Sequence, residues 1–111
     1  MKKKAIILGS SRGIGKSIAE NLSKLDLNLI LPNRKMLDTS NIESVKKFVR
    51  ANKKVDILIL NTGGPPPKDF FEITEDEWLQ YFNQLFLSFV IMLQSVEIKK
   101  GGYVFLISSH T

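Results

Sequence analysis

The stretch Ala5-Ile6-Ile7-Leu8-Gly9-Ser10-Ser11-Arg12-Gly13-Ile14-Gly15 decides the fold. Ala5 to Leu8 is an unbroken apolar run between lysines and a glycine, which predicts a strand buried on both faces, as in a parallel sheet. The glycines then predict a tight turn, because glycine tolerates the backbone angles a turn needs. Gly9 ends the strand, and Gly13 and Gly15 stand where a helix begins. With no side chains in the way, an anionic pyrophosphate can approach the free N–H groups and the positive end of that helix. The spacing is G-x-x-x-G-x-G rather than G-x-G-x-x-G. Glycines alone are weak evidence, and a plain strand-to-helix turn is the competing reading. The buried strand before them and the amphipathic segment after them supply the context that the phosphate reading requires.

Downstream of the turn, Ile14, Ile18, Ala19, Leu22 and Leu25 recur at helical spacing and predict an apolar helix face. Leu27 to Leu31 reads as a second strand, ended by Pro32-Asn33. Ser40-Asn41-Ile42-Glu43 has the form of a capping box, opening a helix whose apolar face is Ile42, Val45, Phe48 and Val49. Val55 to Leu60 is a third apolar strand. The prolines at 65–67 make the following segment a loop. Thr74-Glu75-Asp76-Glu77 is a second capping box, with acids in the favoured first turn. It predicts a long helix to about Glu97, with Trp78, Phe82, Leu85, Phe86, Phe89, Val90 and Leu93 on a wide apolar surface. Lys99 to Gly102 reads as a turn, and Tyr103 to Ile107 as a last buried strand ending at Ser108-Ser109, which would be left with an open edge or an uncovered face in a chain ending here. Strands alternating with helices predict one α/β domain over 1–111, a Rossmann-type parallel sheet with helices on both faces.

Composition bounds the chemistry. The 111 residues contain no cysteine and a single histidine, His110, so thiol catalysis is excluded and no metal site is expected. The net charge is +5, but the lysines come in short groups (Lys2 to Lys4, Lys46-Lys47, Lys53-Lys54, Lys99-Lys100) that read as solvated element boundaries. Neither nucleic acid nor membrane is expected as a partner. The apolar run after Met1-Lys2-Lys3-Lys4 is too short for a signal peptide, and no apolar run reaches transmembrane length. A cytoplasmic location is the expectation.

The motifs together resemble the short-chain dehydrogenases/reductases. That family carries a glycine turn of this spacing, usually after threonine, where this chain has Leu8. Asp38 before Thr39-Ser40 matches the family's acidic residue near the adenine. Val55-Asp56-Ile57-Leu58 and Asn61-Thr62-Gly63-Gly64 look like its D-I-L-V-N-N-A-G segment. Trp78 in an acidic helix start and the strand Gly102 to Ser109 also match. The phrase Asn61 to Pro67 resembles an oxoacyl-carrier-protein-reductase-like or sugar-dehydrogenase-like subgroup. The resemblance implies a cofactor site made by Gly9, Ser11, Arg12, Gly13, Ile14, Gly15, Asn33, Arg34, Asp38, Asn61, Thr62 and Gly63. Asn61 would tie the central sheet together, and Gly63 would let the cofactor ribose approach.

Enzymes that prefer NAD place an acid at the end of the second strand, to bind the ribose 2′-OH. Pro32-Asn33-Arg34 stands there instead, with Arg12 inside the glycine turn. Two guanidinium groups suit a 2′-phosphate, so NADP(H) is expected over NAD(H). Ordinary surface charge is the competing reading of both arginines. The family uses a serine, and a tyrosine activated by a lysine four residues on. Ser109 falls at the serine position. Tyr81 and Tyr103 are followed at that spacing by Leu85 and Ile107, so the Tyr-x-x-x-Lys pair is expected beyond Thr111. The helix asparagine of the family aligns with Leu85, and Asn83 reads as exposed. Between Arg34 and Asp38 the usual helix and strand are shortened or missing. The expectation is an NAD(P)(H)-dependent oxidoreductase acting on a small-molecule carbonyl or alcohol, represented by its cofactor-binding half. The chain alone would then be inactive. A non-catalytic dinucleotide-binding module and an inactive truncated remnant are the alternatives. The wide face of the helix from Thr74 to Glu97 predicts a homo-oligomer.

Overall fold

The computed structural model describes residues 2–62 and 68–107. In chain order these form β1 (Lys3–Ile7), α1 (Gly13–Leu22), β2 (Leu27–Ile30), α2 (Ile42–Ala51) and β3 (Lys54–Leu60). A 3₁₀ turn at Phe70–Glu72 follows, then α3 (Glu75–Phe82), a π-helical turn at Asn83–Leu87, α4 (Ser88–Ser95) and β4 (Glu97–Leu106). The sheet has the order β2-β1-β3-β4, and every pair is parallel. This is the Rossmann-type α/β arrangement that the alternating elements predict.

Alternate residues of the central strands feed two cores, as the two-residue period of a strand requires. Ile6, Leu8, Leu58 and Leu60 meet Val45, Phe48 and Val49 of α2, with Met92 of α4, Val96 and Leu37. Ile7 and Ile59 meet Ala19 of α1 on the other face, flanked by Ile18 and Leu22. Burying one such side chain contributes about 1.5–3 kcal/mol. Helices thus cover both faces. Two residues assigned to the apolar side of α1 do not join it. Ile14 lies in the first turn, beyond the strand ends, and is 61% exposed, while Leu25 lies after the last turn and is 58% exposed.

The N-terminus of α2 is built differently from the sequence expectation. Asn41, not Ser40, is the cap, its Oδ1 accepting from the amides of Glu43 and Ser44. Ser40 instead donates its hydroxyl and amide to Asp38 Oδ1 at 2.6 and 3.0 Å. Asparagine satisfies two helix donors at once, which frees the serine to close the preceding turn. The capping box at Thr74 is formed as expected: Thr74 Oγ1 accepts from the Glu77 amide, and Glu77 Oε1 from the Thr74 amide.

The long helix is not one regular helix to Glu97. Asn83–Leu87 is π-helical, and the fully buried Ser88 donates its hydroxyl to the Gln84 carbonyl at 3.0 Å. Asn83 is half-buried in this turn rather than exposed. Helix α4 stops at Ser95, because the Glu97 amide donates to the Lys53 carbonyl and opens β4 against β3. Lys99 to Gly102 is accordingly not a separate turn but a bulge inside β4, set against Asp56. Gly101 there has φ +84°, and a Cβ on Gly102 would strike the Asp56 carbonyl oxygen. The expectation that Tyr103 to Ile107 is buried also fails. Tyr103 is 62% exposed and Leu106 equally so, because β4 is an edge strand and no described helix covers its outer part. Lys46 and Lys47 lie within α2, not at an element boundary. Among the described residues no helix is long and apolar enough to cross a membrane.

Candidate functional site: a cleft at the carboxyl ends of the strands

The strand order reverses between β1, whose chain runs on outward to β2, and β3, which leads to β4 on the other side. In open parallel sheets such a reversal leaves a crevice beyond the carboxyl ends of the strands. Here it is a cleft of about 780 Å³. Its walls come from four places: the glycine turn from Leu8 to Arg12, residues between Leu31 and Thr39 after β2, Asn61-Thr62 after β3, and Gln84 of the π-helical turn.

The turn is held by backbone constraints. Gly9 and Gly13 have φ +64° and +63°, the left-handed region that side-chain-bearing residues avoid. A Cβ on Gly9 would lie 2.7 Å from Asn61 Nδ2 and 2.8 Å from the Asn61 carbonyl oxygen. A Cβ on Gly15 would collide with the Gly9 carbonyl oxygen, so α1 passes directly against the turn. Asn61 Nδ2 donates to the Gly9 carbonyl at 3.1 Å, tying the end of β3 to the end of β1. No side chain caps the N-terminus of α1, and its first turn has no acidic residue. The terminus therefore keeps its positive end and its free N–H groups for an anion.

Gly9, Ser11, Arg12, Asn33, Arg34, Asp38, Asn61 and Thr62 all line the cleft. The two arginines are exposed, and among the described residues neither forms an ion pair. Gly13, Ile14 and Gly15 stand behind the turn and do not line it. Gly63 and Ser109 lie outside the described residues. Asn33 also closes a turn of its own, where its Oδ1 accepts from the Met36 amide at 3.0 Å and its carbonyl from the Leu37 amide at 2.9 Å. Neither a helix nor a strand lies between β2 and α2. Asp38 accepts from Ser40 and donates its amide to Ser44 Oγ at 2.9 Å, so its carboxylate also shapes the entry to α2.

Leu8, Ser10, Leu31, Pro32, Leu37, Thr39 and Gln84 also line the cleft and escaped the sequence reading. Leu8 and Leu37 put apolar surface on the cleft, and both are nearly buried. Gln84 reaches it from the π-helical turn. The apolar runs gave a signal for Leu8, whereas Gln84 depends on the rotation of a helix and had none.

No family model matches the chain. The likeness to known proteins nonetheless runs almost its full length. An uncharacterized oxidoreductase of Bacillus subtilis, YvaG, is 28% identical over 134 residues, covering 96% of this chain and 51% of that protein. The matched region is longer than the chain, so the relative carries residues there that this chain lacks. A small-chain dehydrogenase solved in complex with NADPH superposes with a TM-score of 0.82 at 24% identity, over 98% of this chain and 52% of that one. This chain has the short-chain dehydrogenase/reductase fold. A further member, from Brucella ovis, solved with a partially ordered NAD, superposes with a TM-score of 0.72 at 20% identity, over 85% of this chain and 56% of that one. The chain spans about half the length of the curated relatives it matches.

Proposed function

We propose that the cleft binds a nicotinamide dinucleotide, NADP(H) in preference to NAD(H), as the cofactor-binding half of an oxidoreductase that interconverts carbonyls and alcohols. The observation that carries this reading is the glycine turn packed against the uncapped N-terminus of α1, on the same cleft as Arg12 and Arg34. The contact of Gly15 with the Gly9 carbonyl keeps side chains out of the place where a pyrophosphate would lie. Arg12 and Arg34 are assigned the 2′-phosphate, which takes charge-assisted bonds from guanidinium groups. Leu8, Leu37 and Asp38 would face the adenine end, and Asn61, Thr62 and Gly63 the ribose on the far side. When bound, the nicotinamide supplies hydride chemistry. Ser109 is assigned to orienting a small carbonyl or alcohol substrate. The exposed apolar face between Thr74 and Glu97 is assigned to self-association.

The test is a fluorescence titration of the chain with NADPH and with NADH. NADPH is expected to saturate the site and to bind at least tenfold more tightly than NADH. Arg12→Ala and Arg34→Ala should each weaken NADPH about tenfold or more and leave NADH nearly unchanged, since a hydrogen bond to a charged group contributes about 1.5–3 kcal/mol. Absence of saturable binding by either nucleotide would remove the reading.

A second reading is a dinucleotide-binding module without turnover. What favours it is the state of the tyrosines. The Tyr81 hydroxyl is engaged with Glu77 Oε2 at 3.3 Å, and neither Tyr81 nor Tyr103 has a lysine four residues on. Tight NADPH binding accompanied by carbonyl reduction by the chain would exclude this second reading.

A further inference from the structure

At the end of the sheet opposite the glycine turn, a groove of about 510 Å³ opens between α2, α4 and the first residues of β3 and β4. Its floor is apolar, made by the buried Val49 and the half-buried Ile91. Lys46, Arg50, Lys53 and Lys54 surround that floor, and Glu97 is the only carboxylate among the lining residues. Glu97 is already engaged, 3.6 Å from the Lys54 ammonium, and Lys46 lies 3.8 Å from Glu43. Arg50 and Lys53 have no ion pair among the described residues.

The fold explains only part of this concentration of charge. Lys46 and Arg50 are four apart on α2, where like charges repel and weaken a helix. Arg50 in the last turn gains from the negative helix end, Lys46 pairs with Glu43 and Lys54 with Glu97, which leaves Lys53 without such an account. A solvated polar face has no need of an apolar floor, and a purely apolar patch has no need of a cationic rim.

We propose that this groove binds a small phosphate monoester with an apolar body. The apolar body covers Val49 and Ile91, and the dianionic phosphate sits between the Arg50 guanidinium and the Lys53 ammonium. A guanidinium and an ammonium lining the same groove, neither in an ion pair among the described residues, match a dianion better than a single carboxylate. The volume falls in the range of small-molecule sites, roughly 300–1,000 Å³. The groove shares no lining residue with the dinucleotide cleft, so the two assignments stand or fall separately.

The experiment is amide NMR of the ¹⁵N-labelled chain titrated with 1-naphthyl phosphate, with inorganic phosphate and 1-naphthol as the two half-ligands. The expected result is saturable shifts at Val49, Arg50, Lys53 and Ile91, with an affinity at least tenfold above either half-ligand. The R50Q/K53Q double variant should lose at least tenfold, and Arg12→Ala should lose nothing. Both replaced residues are exposed, and retained shift dispersion checks that the variant is folded. Shifts confined to the segment from Gly9 to Arg34 would overturn the proposal, as would an unchanged affinity in R50Q/K53Q. Equal affinity for all three compounds would also overturn it. Tighter binding of a duplex oligonucleotide at the same residues would replace the pocket with a diffuse polyanion surface.

Discussion

A Cβ on Gly15 has nowhere to go, because the atom it meets is the backbone carbonyl of Gly9 and not a side chain that can swing aside. Gly13 differs: its φ of +63° is strained for alanine, but the space around it is open. The two glycines therefore separate two costs. Gly13→Ala should cost about 1–2 kcal/mol, the strain of a left-handed residue. Gly15→Ala should cost that much or more, since overpacking costs typically ~1–3 kcal/mol and here the joint between strand and helix must open. Urea midpoints of the two variants give the comparison, and a Gly15 variant more stable than the Gly13 one contradicts the close approach. At this scale the sequence was informative. Gly9, Gly13, Gly15 and Asn61 act through local backbone geometry or a single bond, which a motif records. Asn33 was assigned to the cleft for its position, yet its clearest observed work is closing the Met36 turn, which no motif shows.

The local start of α3 was readable to the residue and that of α2 to within one, whereas an element that ends through distant pairing was not. The capping box at Thr74 formed where the sequence placed it, whereas the end of α4 and the start of β4 are set by Lys53 and Lys54, more than forty residues away. The apolar run of β4 predicts burial and does not say whether anything covers it, but the open edge or uncovered face expected of this last strand is what the structure shows. The start of α3 supports a prediction of its own. Lys68 donates to both carboxylate oxygens of Glu77 at 2.7 and 3.0 Å, and with the Thr74 amide it holds the carboxyl down at about 2, from an ordinary 4.5. A lowered carboxylate favours the folded form above about pH 4.5 and loses that contribution as pH falls through about 2. Carboxyl ¹³C NMR should find Glu77 titrating far below the ordinary 4.5 of a glutamate. Lys68→Met should move its midpoint up toward 4.5, and a midpoint already near 4.5 in the unaltered chain would refute the clip.

At the scale of the molecule, several large apolar side chains among the described residues face outward. Phe70, Phe71, Trp78, Leu79, Phe82 and Phe86 are all exposed, Phe71 at 91%. Phe70 stacks edge-on against both Phe71 and Trp78, and Phe82 lies 5.4 Å from Phe86, so the rings form connected clusters and not scattered single residues. Contiguous apolar surface of this kind suits the proposed self-association. Sedimentation velocity should show self-association rising with concentration, and Phe82→Ser with Phe86→Ser should return the chain toward monomer with an unchanged far-UV spectrum. A clean monomer at high concentration would count against that face.

The π-helical turn at Asn83–Leu87 sets the phase between these surfaces. A π turn holds one residue more than the α-helical ladder needs, and each residue of an α-helix advances it by roughly 100°. Deleting one residue between Asn83 and Leu87 would restore an unbroken ladder and turn Glu75–Phe82 by about that angle relative to Ser88–Ser95. Met92 would keep its place in the core, while the aromatic row would swing to a new side of the molecule. One inserted residue thus works as an angular offset, letting a single continuous helix serve the sheet with one half and the solvent with the other.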